Sequence, residues 1–258
     1  MKKLYLPLLL FFLTGCLSAQ DNFPPRIQTI VHPIGEDKVS IEVTEFGDKK
    51  DIVFINLHAD ETTSVESAQK ILEKKGGFLI RILNDNKRNI SFRIKEQTYS
   101  VDPNRIFSRT GIERSLKKSG NTSPTAINEV EKLASRLLSL LPKGFTCVIA
   151  LHNNTDGALS IQSYMPGAEY GSDAQEVFAN HKMDPDDFFL TTDSVLFQQL
   201  SSAEYNIVLQ DNARVQQDGS LSVYYGEKNF CYLNCETEHG KLETYIQMLE
   251  AALHFLKK

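Results

Sequence analysis

Hydrophobic and polar positions along this 258-residue chain switch repeatedly between the short period of strands and the longer period of helices. Residues 27–31 and 39–43 read as two strands around a glycine-containing turn. Residues 51–57 (Asp-Ile-Val-Phe-Ile-Asn-Leu) are an apolar run of strand length, the pattern of a strand covered on both faces. Residues 62–75 place Val65, Ala68, Ile71 and Leu72 at helical spacing, and Gly76-Gly77 ends that helix. A strand follows at 78–83, then a small hairpin at 90–94 and 98–101. Ser123-Pro124 opens a long helix with proline at its first position. Ile127, Val130, Leu133, Ala134, Leu137, Leu138 and Leu141 make its apolar stripe, and Pro142 and Gly144 stop it. Residues 146–151 form another apolar strand. Later strands are predicted at 188–190, 206–209 and 230–235, with a short helix at 195–200 and an amphipathic helix at 242–256. Strands alternating with helices predict a single-domain α/β fold: a mixed, mostly parallel sheet with helices on both faces. Residues 153–187 are the least regular part and are expected to form a rim.

The amino terminus changes the domain picture. Lys2 and Lys3 precede a nearly all-apolar stretch at 4–13, which is short for a membrane span and has the layout of a signal peptide. It runs into Leu13-Thr14-Gly15-Cys16, which resembles the bacterial lipobox. Residues 1–15 are therefore expected to be a leader, 16–26 a tether, and 27–258 the folded domain. The protein is expected to be exported to the cell envelope with a lipid on Cys16, its only expected membrane contact. Plain secretion, periplasmic or beyond, with cleavage near Ala19 or Gln20, is the alternative.

Charge narrows the partners. The sequence carries 28 basic and 33 acidic side chains, a net charge of −5. Loss of the leader removes two lysines and leaves −7. An acidic chain without a basic tract is a poor nucleic-acid binder, so no nucleic-acid partner is expected. Besides Cys16, the cysteines are Cys147, Cys231 and Cys235. Cys231 and Cys235 share one predicted strand, about 13 Å apart at ordinary strand rise, so they do not bridge to each other. They read as buried free thiols, with a bridge from Cys147 to one of them as the alternative.

Three short stretches carry chemistry: His58-Ala59-Asp60-Glu61, Asp102-Pro103-Asn104-Arg105 and Leu151-His152-Asn153-Asn154. His58 and His152 each follow a buried strand, where open α/β sheets place their ligand sites. Two imidazoles and a carboxylate hold Zn²⁺ while leaving a position open, the arrangement of a catalytic zinc. Taken singly, His58 and Glu61 are an ordinary helix-starting turn, and His152 a polar residue at a strand end. Asp102 to Arg105 is likewise an ordinary turn by composition. Its functional reading makes Arg105 a bidentate clamp for a carboxylate, helped by Asn104, with Asp102 supporting the far nitrogen of a ligating histidine.

In order and context these stretches resemble the zinc carboxypeptidase superfamily, including its succinylglutamate desuccinylase and aspartoacylase-like members. The pattern His-x-x-Glu, Asp-x-Asn-Arg, a strand-borne His and a Glu near the last strand spans most of the chain after the leader. The resemblance implies that His58, Glu61 and His152 bind zinc, that Asn104 and Arg105 bind a substrate carboxylate, and that Asp102 supports His58. It also implies an arginine polarising the scissile carbonyl, with Arg88 the choice and Arg93 its competitor. The general base is Glu236, with Glu238 the alternative. Tyr224 or Tyr225 stands where the family has a mobile substrate-facing tyrosine. The chain departs from the pattern at Ala150, where many relatives have Asp, and in having no Trp.

The implied activity is zinc-dependent cleavage of an amide or peptide bond next to a free carboxylate. The substrate would be a peptide, cell-wall peptides included, or an N-acyl amino acid. The competing reading is a non-catalytic, ligand-binding lipoprotein that keeps the fold. A serine or cysteine hydrolase is disfavoured, because no Gly-x-Ser-x-Gly elbow occurs.

Overall fold

The structure is a computed structural model that describes residues 23–256. The leader, Cys16 and most of the tether lie outside the described residues. In chain order the elements are strands β1 (Pro25–Ile34), β2 (Asp37–Phe46) and β3 (Ile52–Asn56), helix α1 (Thr62–Lys75), and strands β4 (Gly77–Leu83), β5 (Ile90–Ile94) and β6 (Gln97–Val101). Helices α2 (Arg109–Lys118) and α3 (Pro124–Ser139) follow. Then come β7 (Cys147–Asn154), β8 (Ala174–Phe178), β9 (Phe188–Thr191), α4 (Ser194–Ser202), β10 (Ile207–Gln210), α5 (Leu221–Gly226), β11 (Cys231–Glu238) and α6 (Leu242–Leu256).

Nine strands make one sheet in the order β1-β2-β4-β3-β7-β11-β9-β10-β8, and β5-β6 form a separate hairpin. The centre, β4-β3-β7-β11, is parallel, as is β9-β10. The antiparallel ladders are β1-β2, β2-β4, β9-β11 and β8-β10. Buried residues of α1, α4 and α6 pack on one face, and those of α2, α3 and α5 on the other. Successive strand residues alternate between the two layers. In β7, Val148 and Ala150 join the α2/α3/α5 layer, whereas Ile149 and Leu151 join the α1/α4/α6 layer. His152 therefore falls on the α2/α3/α5 side. In β11, Leu233 and Cys235 face the other layer, which sends Asn234 and Glu236 to the side of His152.

The elements with strong periodicity have the predicted bounds or nearly so. α1 ends at Gly76, whose φ of +73° suits glycine, and the Ser123 hydroxyl caps α3 by accepting from the Ala126 amide. Four features differ from the sequence reading. Pro25 and Arg26 belong to β1, paired with Phe46 and Glu45, rather than to a tether. β7 continues through His152 to Asn154, so this histidine sits within a strand. α2 has too few apolar residues to announce itself; only Ile112 and Leu116, one turn apart, anchor it. Residues 221–226, where the sequence reading places no element, form a short helix that Ser220 caps by accepting from the Val223 amide.

The cysteine expectation is corrected. Cys147 and Cys231 stand opposite each other in the parallel β7-β11 ladder, 4.7 Å apart at Cα, and form a disulfide. Among the described residues, Cys235 is the free, buried thiol. The separation of 84 residues makes this a long covalent loop. Removing a bridge of this kind costs about 2–4 kcal/mol. A Cys147→Ser, Cys231→Ser double variant should therefore unfold at clearly lower denaturant concentration than the oxidised wild type, and equal midpoints would contradict the pairing.

Candidate active site

His58 follows β3 and is fully buried, and Glu61 stands at the start of α1. The Glu61 amide donates to the His58 carbonyl (3.1 Å), closing the turn that brings both side chains to one point. His58 Nδ1 lies 3.0 Å from Glu61 Oε1, and His152 Nδ1 lies 3.0 Å from Glu61 Oε2. The ligand-type atoms of His58, Glu61 and His152 all lie within 4.8 Å of one another. The main chain at His152 is pinned by the Tyr245 hydroxyl, which accepts from the His152 amide (3.0 Å) and donates to the Cys235 carbonyl (2.7 Å). Despite its closeness to His152, Glu61 Oε2 receives no aligned hydrogen bond and is sealed from solvent. A buried carboxylate oxygen without a donor is costly. Two imidazoles converging on that carboxylate are a donor set that can hold a metal ion and that suits zinc.

Charged and polar groups surround this cluster. His58 Nε2 lies 2.8 Å from Asp102 Oδ1, and the same oxygen accepts from the Asn104 amide (2.8 Å). Arg88 Nη1 donates to Glu61 Oε1 (2.7 Å). Burial alone would lower the pKa of His58 from 6.5, but the Glu61 charge and the bond to Asp102 outweigh it and raise the value to about 9. Burial opposes the ionisation of Glu61 too, yet the charges of His152 and His58 hold its carboxyl well below the usual range. Asp102 is likewise held low: its hydrogen bond to His58 and the charges of His58 and Arg105 overcome its burial.

Arg105 and Asn104 lie in a short 3₁₀ turn, Pro103–Arg105, capped by Asp102. A loop before α5 holds both. Leu221 N donates to Asn104 Oδ1 (3.0 Å), and Asp218 Oδ2 lies 3.3 Å from Arg105 Nε. This loop approaches α2 so closely that a Cβ on Gly219, at φ +79°, would sit 2.7 Å from Gly111 Cα and 2.8 Å from the Arg105 carbonyl.

A cleft of about 170 Å³ joins these parts, with Arg88, Asn104, Arg105, His152 and Glu236 on its wall. Glu236 stands beside His152 in the β7-β11 register and is buried. Burial raises its pKa above the ordinary 4.5, an effect that the neighbouring His152 partly offsets. The alternative residues lie elsewhere. Glu238 forms an ion pair with Lys241 (2.5 Å), next to Asp156 and Asp186, outside the cleft. Arg93 is tied to Asp37 on the hairpin side. Tyr224 does not line the cleft: α5 turns it against Phe107, with Lys228 over its ring, and Tyr225 is buried in the core. The aromatic wall comes instead from Tyr164, Tyr170 and Tyr232, joined by Gln210, Asp218 and Asn234, none of them singled out from the sequence. Tyr232 and Asn234 share the face of Glu236 by strict alternation, which is a legible signal. Gln210 and Asp218 carried none. The expected rim is seen in part, since Leu159, Tyr164, Tyr170 and Asp173 border the cleft.

No protein-family description matches the chain, and no curated protein does. Solved structures to which it is similar include an aspartoacylase family protein from Mesorhizobium loti. That similarity is 15% identity and TM-score 0.47, over 93% of this chain and 69% of the other. A succinylglutamate desuccinylase/aspartoacylase from Rhodobacter sphaeroides has 13% identity and TM-score 0.48, over 94% and 68%. A murein-tripeptide amidase from Escherichia coli O157 has 13% identity and TM-score 0.46, over 95% and 98%.

The wiring of His58 has a measurable consequence. Its folded pKa stands above its ordinary value, so its protonation stabilises the metal-free protein fully below about pH 6.5 and ceases to as pH rises through about 9. Ring-resonance titration of metal-free protein should give a midpoint near 9, moved down in Asp102→Asn. A wild-type midpoint at 6.5 would contradict this wiring.

Proposed function

We propose that the chain is a zinc-dependent hydrolase that cleaves an amide or peptide bond beside a free carboxylate, acting on a peptide or an N-acyl amino acid. The observation that carries this reading is the meeting, along one cleft, of the His58, Glu61, His152 cluster, a buried carboxyl at Glu236 and the Asn104-Arg105 pair. His58, Glu61 and His152 would hold the metal. When bound, zinc supplies Lewis acidity toward water and the scissile carbonyl.

The chain's own groups account for the rest. Asp102 fixes the ring of His58 through Nε2, the usual outer support of a ligating imidazole. Arg105 presents a guanidinium suited to two parallel bonds with a carboxylate. The Asn104 carboxamide, its oxygen already taken by the Leu221 amide, offers its nitrogen to the same anion. Glu236 accepts the proton of the attacking water and returns it to the leaving amine. Its raised pKa narrows the gap to that amine. Arg88, on the cleft wall beside Glu61, stabilises negative charge developing on the carbonyl oxygen.

The expected outcome is sharpest at the two glutamates of β11. Glu236→Gln should keep its metal and its stability but lose about 10²–10⁴ in turnover on an N-acyl dipeptide with a free carboxylate, the usual contribution of general acid–base catalysis. Glu238→Gln should remain active, because its partner is Lys241. An active Glu236→Gln, or an inactive Glu238→Gln of equal metal content, would overturn the assignment.

A further inference from the structure

We infer that the cleft selects a terminal residue whose side chain donates hydrogen bonds, an ammonium group above all, and discriminates against aliphatic side chains of the same length. This rests on the reading above, in which Arg105 takes the terminal carboxylate. The side chain of that residue then enters the part of the cleft bounded by Asp173, Gln210 and Asp218.

That part is rich in acceptors. Gln210, at the end of β10, is almost wholly buried. Its Nε2 donates to Asn212 Oδ1 (3.0 Å) and to the Ser222 carbonyl (3.3 Å). Asn212 is fixed in turn by donating from its own amide nitrogen to the Thr192 carbonyl (3.0 Å). Two acceptors on Nε2 set the orientation of the Gln210 carboxamide and leave Oε1 as its unengaged end on the cleft wall. The arrangement needs glycine at 226, where a Cβ would lie 2.6 Å from both Gln210 Nε2 and Asn212 Oδ1.

Charge points the same way. Asp173 uses Oδ1 to accept from the Gln216 amide (3.0 Å), which leaves its other oxygen. Asp218 accepts from the Ser220 amide (2.8 Å) and faces Arg105. The lining contains two cations, Arg88 and Arg105, and no lysine. Arg88 is engaged by Glu61, and Arg105 is shared between Asp218 and the substrate carboxylate. An aliphatic side chain would strip water from Gln210 Oε1 and Asp173 and return no donor, a cost larger than the gain from a neutral contact. An ammonium supplies three donors and a compensating charge.

The test compares N-acetyl-alanyl-lysine with N-acetyl-alanyl-norleucine on zinc-loaded protein. The lysine substrate should be favoured in kcat/KM by at least about tenfold. Gln210→Met and Asp173→Asn should each bring the ratio toward one at unchanged metal content. Equal rates, or preference for norleucine, overturn the inference while leaving the hydrolase reading intact. If neither peptide is cut, the hydrolase reading fails, and calorimetry with free L-lysine and L-norleucine decides the inference. Tighter binding of lysine sustains it, and equal binding ends it.

Discussion

One buried carboxylate organises this molecule's chemistry. Glu61 lies between two imidazoles, 3.0 Å from each, in a place sealed from water. A charge so placed is tolerated only with compensating partners. The chain supplies them in layers: His58 and His152 against the two oxygens, Arg88 on Oε1, and Asp102 behind His58. The orphaned Oε2 marks where the protein's own partners fall short. A cation shared by all three side chains would complete the set, and the three ligand-type atoms lie close enough together to hold one.

The fold makes this arrangement with few parts. Parallel strands β3 and β7 lie side by side and bring His58, just beyond β3, and His152, within β7, to the same end of the sheet. Alternation along β7 and β11 puts His152 and Glu236 on one face, next to each other in register. A single oxygen, Asp102 Oδ1, then contacts both His58 and the Asn104 amide. The position of the Asn104-Arg105 turn is thus tied directly to the His58 ring. Asp218, in the loop before α5, and Leu221, at the start of α5, grip that turn from the other side.

Much of this was legible in the sequence, for definite reasons. The mostly apolar β3, the stripe of α1 and the closing α6 announce themselves by period, and the polar stretches after β3, after β6 and at the end of β7 stand out against them. Longer-range facts were not legible. The bridge between Cys147 and Cys231 follows from strand order and register, which no local pattern encodes. The short helix at 221–226 was not legible either, since Val and adjacent Tyr carry no helical signal and its start is marked only by the Ser220 cap. Gln210, at the end of β10, and Asp218, in the loop before α5, became visible once the fold had brought both to the cleft wall, since isolated polar residues have no distinguishing spacing.

The central claim is that His58, Glu61 and His152 share one divalent cation. The most direct measurement is anomalous diffraction at the zinc edge from crystals grown with equimolar zinc. A dominant peak is expected about 2.0–2.2 Å from one nitrogen of each imidazole and an oxygen of Glu61. A dominant peak elsewhere, for instance among Asp156, Asp186 and Glu238, or no ordered zinc at all, would contradict it.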